Sequence, residues 1–221
     1  MANRLCFSFD NLSFVEINID FKFYTGFSLI QKQRSIESFH HGILMRYPNA
    51  KILEISSKSK QELGIKLSAF NLKLGDYCIE NIFQSSKVFE FGGPYRDLLL
   101  KSASEAKKDY RLKNSGNLLY FIFNNKMFSL EPKTLFYDWI YCHAIYKNKN
   151  LISELVRYDF FTDIEFNNKK SINCQARSAA IFVFLYKNNL LEESLGDIEL
   201  FKANVYKNSK LLEKCEQLKL F

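Results

Sequence analysis

Between Val15 and Phe23 the chain alternates without a break. Val15, Ile17, Ile19, Phe21 and Phe23 are apolar, while Glu16, Asn18, Asp20 and Lys22 are polar. Successive side chains on a strand point to opposite faces, so this period specifies a strand with one face buried and the other wet. The chain is thereby committed to a sheet packed against another layer. Residues 28–46 switch to a helical period that ends at Tyr47-Pro48-Asn49, because the residue before a proline is pushed out of the helical region. Lys51–Ile55 reads as a short strand. Leu118–Phe123 and Met127–Leu130 flank Asn124-Asn125-Lys126, a hairpin signal. Helical patterns cover 79–90, 132–147, 150–158 and 178–188, and 94–113 reads as one or two short helices. The expected architecture is a mostly helical α+β single domain with small antiparallel β elements, in which residues 1–14 and about 197–221 are peripheral.

A length of 221 residues suits one domain, and 47% apolar with 25% charged residues is a globular composition. No stretch reaches the roughly 18 apolar residues of a membrane helix. The opening Met1-Ala2-Asn3-Arg4 runs into a mixed segment and not into an apolar signal core, so a cytoplasmic protein without membrane contact is expected. Cys6, Cys78, Cys142, Cys174 and Cys215 form no Cys-x-x-Cys pair and read as free buried thiols. With only His40, His41 and His143 as histidines, no metal site and no cofactor is expected. The net charge of +7 rests on lysine. It is compatible with nucleic acid or a phosphate-rich ligand and equally with simple solubility, while the lack of an arginine cluster argues against a module that reads base sequence.

Three stretches concentrate groups able to do chemistry. In Glu80-Asn81-Ile82-Phe83-Gln84-Ser85-Ser86-Lys87, residues four and seven apart return to one face of a helix. Glu80, Gln84 and Lys87 would then form one polar line of carboxylate, amide and amine, or only a solvated face. In Glu90-Phe91-Gly92-Gly93-Pro94-Tyr95-Arg96-Asp97, the glycines permit close backbone approach and Arg96 can fork onto a phosphate; a plain connection between helices fits equally well. The polar stretch from Asp163 to Arg177 is long enough to be either a binding loop or an exposed connector. Trp139 sits in an aromatic helix, where packing is the default and base stacking the alternative. Gly-x-Ser-x-Gly, His-Glu-x-x-His and Gly-x-Gly-x-x-Gly are all absent, which removes the usual serine hydrolase, zinc protease and dinucleotide-binding readings.

Leu67-Ser68-Ala69-Phe70, then Gly75, then Glu80-x-x-Phe83-Gln84-x-x-Lys87 resembles the signature of the NADAR family. That signature is Ser-Asn-Phe followed by Glu-His-x-Phe-Gln-x-x-Lys. Tyr24–Ser28, Leu53–Ser59, Lys87–Tyr95, Glu131–Thr134, Asp163–Asn167 and Ser171–Arg177 are similar to one branch, the NADAR antitoxins encoded beside DNA ADP-ribosyltransferase toxins. The resemblance runs from Tyr24 to Arg177. Ala69 replaces the family's Asn, Asn81 replaces its His, and the Trp-Gly ending is absent.

The resemblance implies an α-rich domain that binds ADP-ribose and removes it from guanine bases in DNA by cleaving the N-glycosidic bond, reversing a partner toxin's modification. Glu80 and Lys87 match the family's polar residues and are the expected catalytic pair, with Gln84, Ser68 and Phe70 beside the substrate. Gly92, Gly93, Tyr95 and Arg96 are expected at the diphosphate. Asp163, Glu165, Asn173, Gln175 and Arg177 are expected to contact the ribose or base. Partners would be ADP-ribosylated DNA and a neighbouring toxin. The alternatives are an N-glycosidase acting on a small phosphoribosyl metabolite, and a non-catalytic binder of ADP-ribose.

Overall fold

The computed structural model describes residues 1–10 and 13–207. Its first sheet has the order β2-β1-β9-β3. Strand β1 (Ala2–Phe9) pairs antiparallel with β2 (Phe14–Phe21) along its full length, from Ala2 opposite Phe21 to Phe9 opposite Phe14. The alternating segment thus forms the edge strand, with Glu16, Asn18 and Asp20 toward solvent or the rim. Residues 1–14 are not peripheral. β1 lies inside the sheet, and Cys6 and Phe7 are almost wholly buried. A strand covered on both faces carries no alternation, so Leu5-Cys6-Phe7-Ser8-Phe9 gave no period to read.

Helix α1 (Leu29–Arg46) covers one face of this sheet. It starts at Ser28, whose hydroxyl accepts from the Gln31 N–H, and its Ile36, Phe39 and Ile43 pack with Cys6, Ile19 and Phe21; the Phe39 and Phe21 rings stack at 4.7 Å. Strand β3 (Ile52–Glu54) lies parallel to β9 (Phe160–Thr162), with Glu54 opposite Thr162. This one parallel pair departs from the expected antiparallel arrangement. Between them in sequence come α2 (Glu62–Lys66), the ribbon β4 (Lys73–Leu74) and β5 (Tyr77–Cys78), and α3 (Ile79–Ser85).

Helix α3 stops five residues short of the expected end. Ser85 and Ser86 both turn their hydroxyls back onto the Ile82 carbonyl, which competes with helix propagation. Lys87-Val88-Phe89 then forms β6, paired with β7 (Leu118–Phe123). Short helices α4 (Ala103–Lys108) and α5 (Arg111–Asn114) lie between β6 and β7. β7 turns into β8 (Lys126–Phe128) through Asn124 and Asn125, at φ of 47° and 58°, the left-handed values a two-residue hairpin needs and asparagine tolerates.

Helices α6 (Leu135–Lys147), α7 (Lys149–Leu155) and α8 (Gln175–Lys187) complete the main layer. Every residue of α8 from Ala176 to Leu185 is buried, because it lies between the first sheet and α6. It begins three residues earlier than the apolar run suggests, so Gln175 and Arg177 belong to its first turn and not to a loop. After α9 (Leu191–Gly196) and α10 (Ile198–Lys202), Phe201 and Val205 enter the same core, so the segment from 197 to 207 is built into the fold. Cys6, Cys78, Cys142 and Cys174 are free and buried, and Cys215 lies outside the described residues. Among the described residues no helix is long and apolar enough to cross a membrane.

Candidate active site

Helix α3 is buried on all sides, including its polar residues: Glu80 is 5% exposed and Gln84 6%. Gln84 donates through Nε2 to Glu80 Oε1 at 2.8 Å. That bond fixes the amide orientation and leaves Gln84 Oε1, itself buried, without a hydrogen-bond partner among the described residues. Both side chains line a cavity of about 470 Å³, of a size suited to a small-molecule ligand. The same cavity is lined by Asp163, Glu165, Phe166 and Asn173 from the segment after β9, by Ser56-Ser57-Lys58 after β3, by Ser68-Ala69-Phe70 after α2, and by Tyr137 of α6.

The 68–70 turn is held from across the cavity. Gln175 accepts the Ala69 N–H through Oε1 at 2.7 Å and donates through Nε2 to the Ile55 carbonyl at 2.7 Å. Its amide thus joins the start of α8 to the end of β3, and the same side chain also hydrogen-bonds Asp163. Ser68 turns its hydroxyl onto the Ile65 carbonyl, and Phe70 stays 38% exposed at the rim. Asn81 points away from the cavity and donates to the Leu98 and Lys101 carbonyls, so this departure from the family signature holds neighbouring backbone in place.

Lys87 is not on the helical line with Glu80 and Gln84. It opens β6, lies beside the cavity and is not among the residues that line it. Its Nζ stands 4.7 Å from the ring centre of Phe83, which does line it. Burial lowers the Lys87 amine to about 8, against the opposing pull of the Glu80 carboxylate, and the Lys107 charge lowers it further. Lys107 of α4 does line the wall, as Lys58 does, and lies 3.8 Å from Glu80 Oε2 and 5.4 Å from the Phe70 ring centre. Nothing in the local pattern marks it: it is an ordinary charged residue on a short helix, and only the fold brings it to Glu80.

The Gly92-Gly93-Pro94-Tyr95-Arg96 segment lies outside this cavity. A Cβ on Gly93, which sits at φ +86°, would meet the Lys87 carbonyl oxygen at 2.3 Å, and one on Gly92 would meet the Tyr95 hydroxyl. The glycines therefore serve close packing within the protein. Arg96 lines a second cavity, of about 510 Å³, together with Trp139 and His143. Trp139 packs against Phe128, at a centroid distance of 5.2 Å, and against His143, at 4.0 Å. Arg177 lies behind the site, paired with buried Asp138 and reached also by Glu16 at 3.3 Å.

Asp163 is 6% exposed in the cavity wall and is raised to about 8, by burial first and by the charge of Glu54 second. Tyr137 is raised well above its ordinary value, again mainly by burial, with Glu80 and Asp163 both adding to the effect. The unpartnered Asn173 Oδ1 joins Gln84 Oε1 and the Glu80 carboxylate as acceptors. A wall of this kind suits a ligand rich in donors, such as a sugar with free hydroxyls, and places a carboxylate where positive charge can be stabilised. The family model described as DarT1-associated NADAR antitoxin matches residues 2–214 of this chain. A search of curated proteins finds no match.

Proposed function

The chain belongs to the DarT1-associated NADAR antitoxin family, and from that premise we propose that it is an ADP-ribosyl hydrolase that removes ADP-ribose from guanine bases in DNA by cleaving the N-glycosidic bond. The observation that carries the reading is the hydrogen-bonded pair of Glu80 and Gln84 in the wall of a cavity large enough for a nucleotide sugar. Cleaving a ribose–nitrogen bond builds positive charge on the ribose ring, which Glu80 stabilises while taking the proton of the attacking water. Gln84 Oε1 and Asn173 Oδ1 accept from sugar hydroxyls. Phe70 at the rim offers a face for a base, and Lys107 and Lys58 supply the positive charge in the wall for the diphosphate. Ser68, Glu165 and Gln175 complete the substrate contacts or hold them in place. The partner is a DarT1-type toxin whose modification this reaction reverses.

The test is release of ADP-ribose from DNA carrying ADP-ribosylated guanine, run beside free phosphoribosyl nucleotides. Release from DNA, with loss of about a hundredfold or more in Glu80→Gln, is the expected result. Turnover of the free nucleotides alone would point to a small-metabolite N-glycosidase. Tight ADP-ribose binding without any release would leave a non-catalytic binder.

A further inference from the structure

The end of the first sheet brings two buried carboxyl groups within electrostatic reach of each other. Glu54 ends β3 opposite Thr162, the last residue of β9, and Asp163 follows at once. Glu54 is 1% exposed, yet both its oxygens are filled: Oε2 accepts from Thr162 Oγ1 at 2.6 Å and Oε1 from the Ile164 N–H at 2.9 Å. The Thr162 hydroxyl has one proton and gives it to Glu54, so the 2.9 Å contact to His40 is donated by His40 Nε2. Glu54 is therefore served by a donor chain from α1 through β9.

Ser56 adds a third donor to Glu54. Asp163 is served less well: its Oδ1 accepts the Glu165 N–H at 3.0 Å, the Gln175 side chain also donates to it, and its Oδ2 has only the weak Cys174 thiol at 3.9 Å. Neither Glu54 nor Asp163 is in an ion pair. The nearby Lys32 is engaged by Glu165 at 3.1 Å. The other titratable groups around Asp163 are Glu165 from its own segment, Cys174 at the start of α8, and Tyr137 and Tyr141 of α6; Glu80, Lys58 and Lys107 line the same cavity, and among the described residues neither lysine forms an ion pair with Asp163. Burial raises both carboxyls, and two coupled buried carboxyls without an ion-pair partner do not both ionise at neutral pH; Glu54, with three oxygen or nitrogen donors, is the better able to hold the charge, and Asp163 keeps the proton. Burial also lowers His40 to about 4, so His40 brings no positive charge to the pair.

We propose that Asp163 is the general acid of the reaction, delivering its carboxyl proton to the guanine nitrogen as the bond to ribose breaks, with Glu54 as the positioning residue that keeps Asp163 protonated. The assignment rests on the hydrolase reading above. Water attacks the ribose carbon, and the electron pair of the breaking carbon–nitrogen bond moves to the nitrogen, which takes the Asp163 proton. The proton of the water goes to Glu80. The products are ADP-ribose and the free base in DNA, and solvent returns the proton from Glu80 to Asp163. A cavity lined by both Glu80 and a protonated Asp163 matches the general pattern in which two environments divide the acid and base roles.

The test is the pH dependence of ADP-ribose release from ADP-ribosylated guanine DNA by the full chain, with ADP-ribose binding measured in parallel. The wild-type rate is expected to fall as pH rises through about 8. Asp163→Asn, which has no proton to transfer, is expected to lose about a hundredfold or more in kcat while its ADP-ribose affinity stays within severalfold. Lys87 titrates near the same pH, so a second variant separates the two. Glu165→Gln removes a negative charge felt by Asp163, and the falling limb moves to lower pH only if Asp163 owns it. A flat wild-type profile from pH 7 to 9, an Asp163→Asn protein within tenfold of wild type, or an unmoved limb in Glu165→Gln overturns the assignment. A wild-type protein that binds ADP-ribose but releases none at any pH takes down the hydrolase reading itself, and this assignment with it.

Discussion

At the scale of single residues, the site is a contest between burial and charge. Lys87 is held at about 8 because its surroundings are apolar on the Phe83 side, with only Glu80 to favour the charged form. An amine with that tendency is a credible nucleophile, yet it lies behind the cavity wall. Borohydride added during turnover is therefore expected to trap no adduct at Lys87, and Lys87→Met is expected to cost about tenfold to a hundredfold in rate through the loss of its charge beside Glu80. A mass shift on the Lys87 peptide would show instead that the amine attacks the ring-opened ribose and forms an imine with it. Asp163 makes a second prediction. Its native value of about 8 lies above the ordinary 3.8, so the stability associated with its protonated form is fully present below about pH 4 and is lost as pH rises through about 8. Asp163→Asn should therefore match wild type in urea unfolding at pH 4 and be more stable than wild type at pH 8. Equal stabilities at both pH values would show that Asp163 is ionised in the native protein.

At the scale of elements, the cavity depends on what ties its walls together. Gln175 is one tie, since both ends of its amide hold backbone from different segments. Gln175→Leu leaves the Ala69 N–H and the Ile55 carbonyl without partners, at a cost of about 1–3 kcal/mol for each group left buried and unsatisfied. A lower melting temperature together with at least tenfold weaker ADP-ribose binding is the expected outcome by calorimetry; an unchanged affinity would separate the 68–70 turn from the ligand. Arg177 is the other tie, joining α8 to Asp138 of α6 and to Thr134 at 3.0 Å. Arg177→Met leaves Asp138 buried without its cation and should cost about 3–5 kcal/mol in urea unfolding. The same protein at saturating ADP-ribosylated guanine DNA should still turn over, because Arg177 does not line the cavity.

At the scale of the whole molecule, the site lies where two halves of the fold meet. The first sheet supplies Glu54, Asp163 and the Ser56–Lys58 turn, while α3, α4 and α6 supply Glu80, Gln84, Lys107 and Tyr137. α8 touches both and is buried throughout for that reason. β1 sits between β2 and β9, so its removal exposes two strand edges and the apolar faces beneath them. A chain lacking residues 1–10 is expected to be insoluble or to lose its cooperative thermal transition. A soluble, cooperatively melting truncation would mean that β2 can close the sheet by itself.

Local periodicity made much of this protein readable from its sequence. The alternation at 15–23 specified an edge strand, the Asn124-Asn125 pair specified a hairpin, and the helical periods specified α1, α6, α7 and α8 to within a few residues. Glu80 and Gln84 were legible for the same reason, since both sit one turn apart on one short helix and match a family signature. Lys87 was misplaced because the back-bonding of Ser85 and Ser86 that ends the helix gives no hydrophobic signal. β1 and β9 had no period to show, one being covered on both faces and the other only three residues long. Lys107, Tyr137 and the Glu54–Asp163 pair belong to the site through contacts between residues far apart in the chain. Sequence thus determined the elements and one wall of the cavity, because a helix or strand is chosen by neighbours a few residues away. Tertiary structure decided which acid meets which, because a carboxyl keeps or loses its proton according to the groups folded against it.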